Sequence, residues 1–161
     1  MSMEALDVSA TGMPWGAPLV VLYRRHYMAF VRLAYLTTGS HEAAQDIVQD
    51  AFVSASRSWD GVRDPEPYVR AIVVNGCRSW GRRRTLERRH GASAPQSTEL
   101  GAEELWDALN VLKPRQRMAI VLKFYNDLTN DEIANLMQCR PATVRTAIHR
   151  GLRVLRREIK R

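Results

Sequence analysis

The sequence predicts an all-α protein of two small helical domains, an N-terminal helical bundle and a C-terminal helix-turn-helix domain, joined by a flexible linker. Three observations carry that expectation. No segment alternates apolar and polar residues at the strand period, whereas apolar residues recur every three or four positions from Leu19 to Trp80 and again from Met118 to Ile159. Between the two stretches, Gly91 to Gly101 is rich in Gly, Ala, Ser and Pro and holds one acid, Glu99, which is a linker composition. The chain of 161 residues suffices for one ordinary domain or two small ones. The expected boundaries are a flexible tail over 1–17, a first domain over 18–90, a linker over 91–102 and a second domain over 103–161.

Within the first domain, Leu19, Leu22, Tyr23, His26, Phe30, Leu33 and Ala34 share one helical stripe starting at Pro18. Thr37-Thr38-Gly39-Ser40 breaks this helix, with Gly39 suited to a C-cap and Ser40 to the next N-cap. A second helix is expected over His41–Trp59. Ala44, Ile47, Val48, Ala51, Phe52, Ala55 and Trp59 face inward, and Glu42, Gln45, Asp46, Gln49 and Asp50 face outward. An acidic face on a basic chain is either solvated surface or a docking face for a basic partner. A loop from Asp60 to Pro67 precedes a third helix, Pro67 to Arg84, whose apolar positions are Tyr68, Val69, Ile72, Val73, Cys77 and Trp80; Arg82-Arg83-Arg84 closes it.

The second domain opens with a helix near Glu103–Leu112. Another follows from Arg115 to Tyr125, carrying Met118, Ile120, Val121, Leu122 and Phe124. Thr129, with Glu132 three residues on, is a capping-box pattern. Ile133, Leu136 and Met137 give the capped helix an apolar face. After Gln138-Cys139-Arg140, Pro141 suits a first helical turn, and Val144, Ile148, Leu152, Leu155 and Ile159 recur at helical spacing. The opposite face bears Thr143, Arg145, Thr146, His149, Arg150 and Arg153. A capped helix, a three-residue turn and a basic second helix form a helix-turn-helix, with the second helix the candidate for a DNA major groove. Two packed helices with a solvated basic face are the plainer alternative.

Charge separates those alternatives. Residues 140–161 hold eight Arg/Lys and one acid, Glu158, a local excess of +7 that equals the net charge of the whole chain. Such clustering on one terminal helix is an electrostatic footprint for phosphate. No apolar run reaches the length of a membrane span and no signal-peptide pattern is present, so a cytoplasmic protein without membrane insertion is expected. Cys77 and Cys139 read as core thiols. His26, His41, His90 and His149 are scattered and have no ligand-like spacing to either Cys, so neither a metal site nor a cofactor is expected. No nucleophile–base spacing or phosphate-cradling Gly loop suggests a catalytic residue.

Three motifs together carry a family resemblance. The run Ala44-Gln45-Asp46-Ile47-Val48-Gln49-Asp50-Ala51-Phe52 resembles the core-binding helix of sigma-70-type transcription initiation factors. The run from Arg63 to Asn75 resembles their −10 element segment, and Leu112-Lys113-Pro114-Arg115-Gln116-Arg117 is similar to the start of their −35 domain. Two domains without a middle one resemble the short extracytoplasmic-function subfamily. The resemblance implies a promoter-specificity subunit of bacterial RNA polymerase, not an enzyme, that aids promoter melting. Its partners would be core polymerase, through the β′ clamp helices and the β flap, promoter DNA, and an anti-sigma factor as a further candidate. It implies that Asp46, Gln49 and Asp50 meet core polymerase. Arg63, Asp64 and Asn75 would hold an extruded −10 base, with Arg78, Arg82, Arg83 and Arg84 along the melted strand. Arg140, Thr143, Arg145, Thr146, His149 and Arg150 would face the −35 groove.

Two positions depart from the family pattern. Gln138 stands where members often carry Gly, so either a non-glycine residue is left-handed there or the turn differs. Arg140 replaces a frequent small residue at the start of the recognition helix, which loses a capping bond and gains a cation. The alternative function is a helix-turn-helix regulator acting on duplex DNA without being a polymerase subunit, although the first domain lacks the strands of a usual sensory fold.

Overall fold

The computed structural model describes residues 16–89 and 102–161, without the side chains of 87–89. Seven α-helices follow one another among these residues: α1 (Ala17–Thr38), α2 (His41–Arg57), α3 (Pro65–Arg89), α4 (Glu103–Leu109), α5 (Pro114–Ile120), α6 (Asn130–Met137) and α7 (Pro141–Ile159). Short 3₁₀ and π segments occupy Trp59–Gly61 and Val121–Tyr125. The described residues contain no strand, as the apolar spacing requires. The expected tail and linker lie almost wholly outside them, as does Trp15; Ala17 belongs to α1 and Ala102 is buried.

The first three helices form a bundle around Phe30, Leu33, Val48, Phe52, Val69 and Val73, all buried. Tyr23 meets Phe52 edge-on at 4.9 Å between ring centroids, a geometry aromatic pairs favour. The α1–α2 junction follows the local signals. Gly39 is left-handed at φ 71°, and the Ser40 hydroxyl accepts from the Ala43 N–H at 3.2 Å. Helix α2 ends at Arg57, short of the expected Trp59; its six apolar positions expected to face inward are buried, Trp59 is half-buried in the 3₁₀ segment that follows, and the five polar positions are exposed. Helix α3 is longer than expected at both ends. Proline lacks the N–H that a first turn leaves without a partner, so Pro65 and Pro67 both fit there, and no breaker occurs before Gly91.

The second domain differs from expectation after Ile120. The helix does not continue as α to Tyr125. Instead the Asn126 N–H donates to the Val121 carbonyl, five residues back, at 3.3 Å, and Asp127 turns left-handed at φ 55°. This widened turn leaves Phe124 63% exposed, not in the core. Ile159 is likewise 83% exposed, because α7 outruns the helices that cover its earlier turns. The buried seam of α7 is Val144, Ala147 and Gly151, with Ile148, Leu152 and Leu155 half-buried beside it. Gly151 lets α7 approach α5 closely: an added Cβ would lie 2.5 Å from Ile120 Cδ1, so the end of that side chain would have to shift.

The capping box is complete. The Thr129 N–H donates to Glu132 Oε2 at 2.7 Å, and the Glu132 N–H donates to Thr129 Oγ1 at 3.2 Å. Gln138 itself adopts the left-handed conformation, φ 53° and ψ 49°, so the helix-turn-helix corner is kept without glycine. Arg140 is the α7 N-cap and makes no side-chain capping bond, as a side chain without an acceptor must. The two halves are packed together: α1 touches α4, α5 and the π segment, α3 touches α6, and one apolar cluster runs through both.

Candidate nucleic-acid interface

Helix α7 is oriented by its buried seam. With Val144, Ala147 and Gly151 pointing inward, the 100° step per residue turns Arg145, His149 and Arg153 to the opposite side. Arg145, Thr146, His149 and Arg150 are exposed, Arg140 stands exposed at the N-terminus, and Thr143 is half-buried. The Thr146 hydroxyl donates to the Ala142 carbonyl at 3.0 Å, one turn back on the same helix. Thr143, Thr146 and Arg150 flank a groove whose other wall is Lys113, Arg115 and Gln116 at the start of α5. The sequence offered Lys113 and Arg115 only as part of a family motif. Their place beside the recognition helix depends on α5 packing against α7, about thirty residues away in the chain.

Helix α3 carries the second cationic surface. Asn75, Arg78 and Arg82 are three and four residues apart and share one face. Asn75 and Arg82 are exposed and Arg78 is half-buried. Arg83 is exposed on a neighbouring flank. Arg84 lies on the far side of the helix from Asn75, with its guanidinium 6.0 Å from the Trp80 ring, so the arginine run does not form a single stripe. Arg63 and Asp64 are exposed just ahead of α3, and the Asp64 carbonyl accepts from the Tyr68 N–H at 3.2 Å. Glu66 pins this first turn: it pairs with Arg70 at 2.8 Å and with His26 of α1 at 3.7 Å. The irregular segment from Val62 to Asp64 is thus anchored at its C-terminal end.

Asp46, Gln49 and Asp50 form an exposed patch on α2, and neither aspartate enters an ion pair among the described residues. The sequence's thiol reading holds for Cys77, whose burial pushes its pKa up to about 12 against a small opposing effect of Thr37; Cys139 is half-buried. The described residues contain no cluster of three or more potential metal ligands, and no helix among them is long and apolar enough to cross a membrane.

The fold and these surfaces define an all-helical protein of the helix-turn-helix class, with a cationic helix beside an irregular segment and an exposed acidic face on α2. Comparison with known proteins places it further. Residues 22–87 match the family model described as Sigma-70 region 2, and residues 102–155 match Sigma-70, region 4. The chain is 35% identical over 127 residues to an RNA polymerase sigma-E factor of Streptomyces avermitilis, covering 73% of this chain and 71% of that one. It is 30% identical over 149 residues to the RNA polymerase sigma factor SigV of Bacillus subtilis, covering 87% and 90%. Among solved structures it resembles the sigma factor RpoE of Bartonella quintana, crystallised with the anti-sigma factor NepR. That match has a TM-score of 0.68 at 22% identity and covers 87% of this chain and 97% of that one. CnrH, solved with the cytosolic domain of CnrY, matches at TM-score 0.67 and 22% identity over 88% and 87%. The chain belongs to the sigma-70-type RNA polymerase sigma factors, in the extracytoplasmic-function group. That family supplies the promoter-specificity subunit of RNA polymerase, and both of its DNA-reading regions are present here.

Proposed function

We propose that this sigma factor divides promoter recognition among the three surfaces described. Asp46, Gln49 and Asp50 dock on the β′ clamp helices, and the second domain meets the β flap. Arg63, Asp64 and Asn75 take up an extruded −10 base, because a base edge inside the stack is not readable from all sides. Arg78, Arg82 and Arg83 follow the melted strand, with Arg84 set apart on its own face. Arg145, Thr146 and His149 meet −35 base edges, while Arg140, Thr143, Arg150 and the newly placed Lys113 and Arg115 hold the flanking phosphates. The chain carries out no catalysis itself, acts in the cytoplasm where polymerase is, and takes an anti-sigma factor, as RpoE of Bartonella quintana does. The domains run over about 18–90 and 103–161.

The observation that supports this reading most is a separation of charge within the first domain: Asp46, Gln49 and Asp50 make an exposed acidic patch on α2, whereas α3 presents Arg78, Arg82 and Arg83. A DNA-only regulator has no use for that patch. Asp46→Arg combined with Asp50→Arg should abolish run-off transcription with purified core polymerase. Thermal stability should change by about 0.5 kcal/mol or less, as at most surface sites. Co-purification of the double variant with core at wild-type affinity would refute the docking assignment.

A further inference from the structure

Five arginines converge on a cavity to which no role has been assigned. Arg78, Arg82 and Arg84 of α3 and Arg115 and Arg117 of α5 line a space of about 420 Å³, and no Asp or Glu stands among its described lining residues. Its inner end is apolar, closed by Cys77, Leu112, Met118 and Met137, all buried. Burial pushes the Cys77 thiol up to about 12, so it stays neutral and supplies no countercharge. The floor is open. Gly81, in the middle of α3, lines the cavity, and a Cβ added there would meet no atom within 4 Å. Glycine inside a helix costs about 1 kcal/mol relative to alanine. At Gly151 close packing accounts for the glycine; at Gly81 the missing side chain leaves only space, in front of the guanidiniums.

A guanidinium does not lose its proton in a protein, so cations around one cavity repel each other at every working pH. Arg78, Arg82 and Arg115 enter no ion pair among the described residues. Arg82 Nη2 donates to Ser79 Oγ at 3.1 Å, and Arg117 Nη1 donates to the Leu112 carbonyl at 3.2 Å while its guanidinium lies 4.8 Å from the Trp106 ring. These contacts orient the two side chains without neutralising them. A multiply charged anion relieves the repulsion, and the planar guanidinium fork matches two phosphate oxygens at once. Walls from two helices suit a chain of phosphates better than a single one. The volume falls within the roughly 300–1,000 Å³ of small-molecule sites. A nucleic-acid strand has to enter and leave, whereas the closed apolar end takes a ligand that terminates there.

We propose that this cavity binds a small-molecule oligophosphate, with its phosphates on Arg78, Arg82 and Arg115 over Gly81. Where a nucleotide carries the phosphates, its base points to the apolar end at Cys77 and Met118. The site needs no metal: with no carboxylate in the described lining to hold a divalent ion, the guanidiniums meet the phosphates directly. Arg78 and Arg82 also belong to the stripe assigned to the melted −10 strand, so ligand and strand exclude each other. That last consequence rests on the promoter-reading assignment; the site itself does not.

The test titrates the full chain, free of divalent metal, with ADP, pyrophosphate, tripolyphosphate and adenosine by isothermal titration calorimetry. The phosphate compounds should bind and adenosine should not. ADP binding more tightly than pyrophosphate marks a nucleotide as the source of the phosphates; equal affinities mark an inorganic oligophosphate. Arg78→Ala and Arg115→Ala, one on each wall, should each weaken binding by about tenfold or more, as loss of a hydrogen bond to an ion does. Gly81→Leu should abolish binding by filling the floor, and it should not lower Tm, because leucine is the better helix former. Arg57→Ala, at the exposed end of α2, should leave binding unchanged. Added magnesium should weaken binding. No binding of any phosphate compound at millimolar concentration overturns the site, as does a folded Gly81→Leu that binds like the wild type. An equal loss in Arg57→Ala overturns it too, because the attraction is then diffuse. Bound ligand should displace a fluorescent single strand bearing the −10 sequence of a promoter active in run-off assays. Ligand and strand bound together would overturn the shared use of Arg78 and Arg82. A wild type that binds ligand and no strand overturns the promoter-reading assignment alone.

Discussion

Replacing Gln138 by glycine should stabilise the protein without altering DNA binding. Gln138 is exposed and sits at φ 53° and ψ 49°, where its Cβ crowds the following carbonyl. That conformation costs a non-glycine residue about 1–2 kcal/mol. Glycine removes the crowding but gives up more backbone entropy on folding, about 0.5–1 kcal/mol. The difference favours Gln138→Gly by about 0.7 kcal/mol, which corresponds to about 2 °C in Tm for a chain of this length. The bonds that close the α6 end come from backbone N–H groups, Cys139 to the Ala134 carbonyl at 3.0 Å and Gln138 to the Asn135 carbonyl at 3.3 Å, so they survive the change. Gln138→Asn should fall between the two, because asparagine tolerates left-handed geometry. Gln138→Ala keeps the crowding and should gain nothing. Differential scanning calorimetry of the four proteins orders them, and −35 duplex affinity should agree within twofold across the set. A lower Tm for the glycine variant, or an alanine variant as stable as the glycine one, would mean that the corner is not strained as argued.

Two further outcomes follow from the same domain. Hydrogen bonds from the Thr129 backbone and side chain hold the Glu132 carboxyl below its ordinary pKa, so the box stabilises the fold above about pH 4.5 and loses that contribution as pH falls through the lowered value; the Tm difference between wild type and Glu132→Ala should be constant near neutrality and shrink in acid. Arg145→Ala should lose discrimination at one or two −35 positions, by about 1–3 kcal/mol if the contact to guanine is bidentate, whereas Arg156→Ala should weaken all sequences alike and lower the salt slope by about one; a randomised −35 library checks both, and a uniform loss for Arg145→Ala would mean that α7 is rotated from the orientation given.

Much of the fold was legible because its signals are local. Thr129 with Glu132, Gly39 with Ser40, and the alternating faces of α2 each involve residues within a turn or two, and each appears as the sequence implies. The failures have tertiary causes. Phe124 fits the apolar period, but that period presumes 3.6 residues per turn, and the π segment rotates everything after Val121. Ile159 fits it too, yet burial needs a neighbouring helix and α7 has outrun its own. The make-up of the candidate interface was legible in part, for a related reason. Exposed cations on α7 declare themselves by composition, whereas Lys113 and Arg115 join them only through the packing of α5 on α7. Nor does anything local mark the packing of Trp106 of α4 against Gly39, the cap of α1, since most of the first domain separates the two in the chain.

The two surfaces proposed to meet DNA also differ in backbone regularity, and the difference suits the proposed tasks. Reading duplex base edges demands side chains fixed against a groove of given width. The nineteen-residue α7 supplies this, with a seam of small and β-branched residues that brings it close to α5, where a Cβ on Gly151 would press on Ile120. Capturing an unstacked base demands a surface that forms around it. The segment from Val62 to Asp64 has no regular structure of its own and is held at its ends, by the Val62 N–H on the Trp59 carbonyl at 3.1 Å and by the Asp64 carbonyl, which accepts from the Tyr68 N–H at 3.2 Å. Asn75, Arg78 and Arg82 then rise along α3 over about 10 Å, at 1.5 Å per residue. A single strand held at the loop therefore continues onto a cationic helix face. Exchanging the two designs would defeat both: an irregular segment would blur base discrimination in the groove, and a fully packed helix would leave no room for an extruded base.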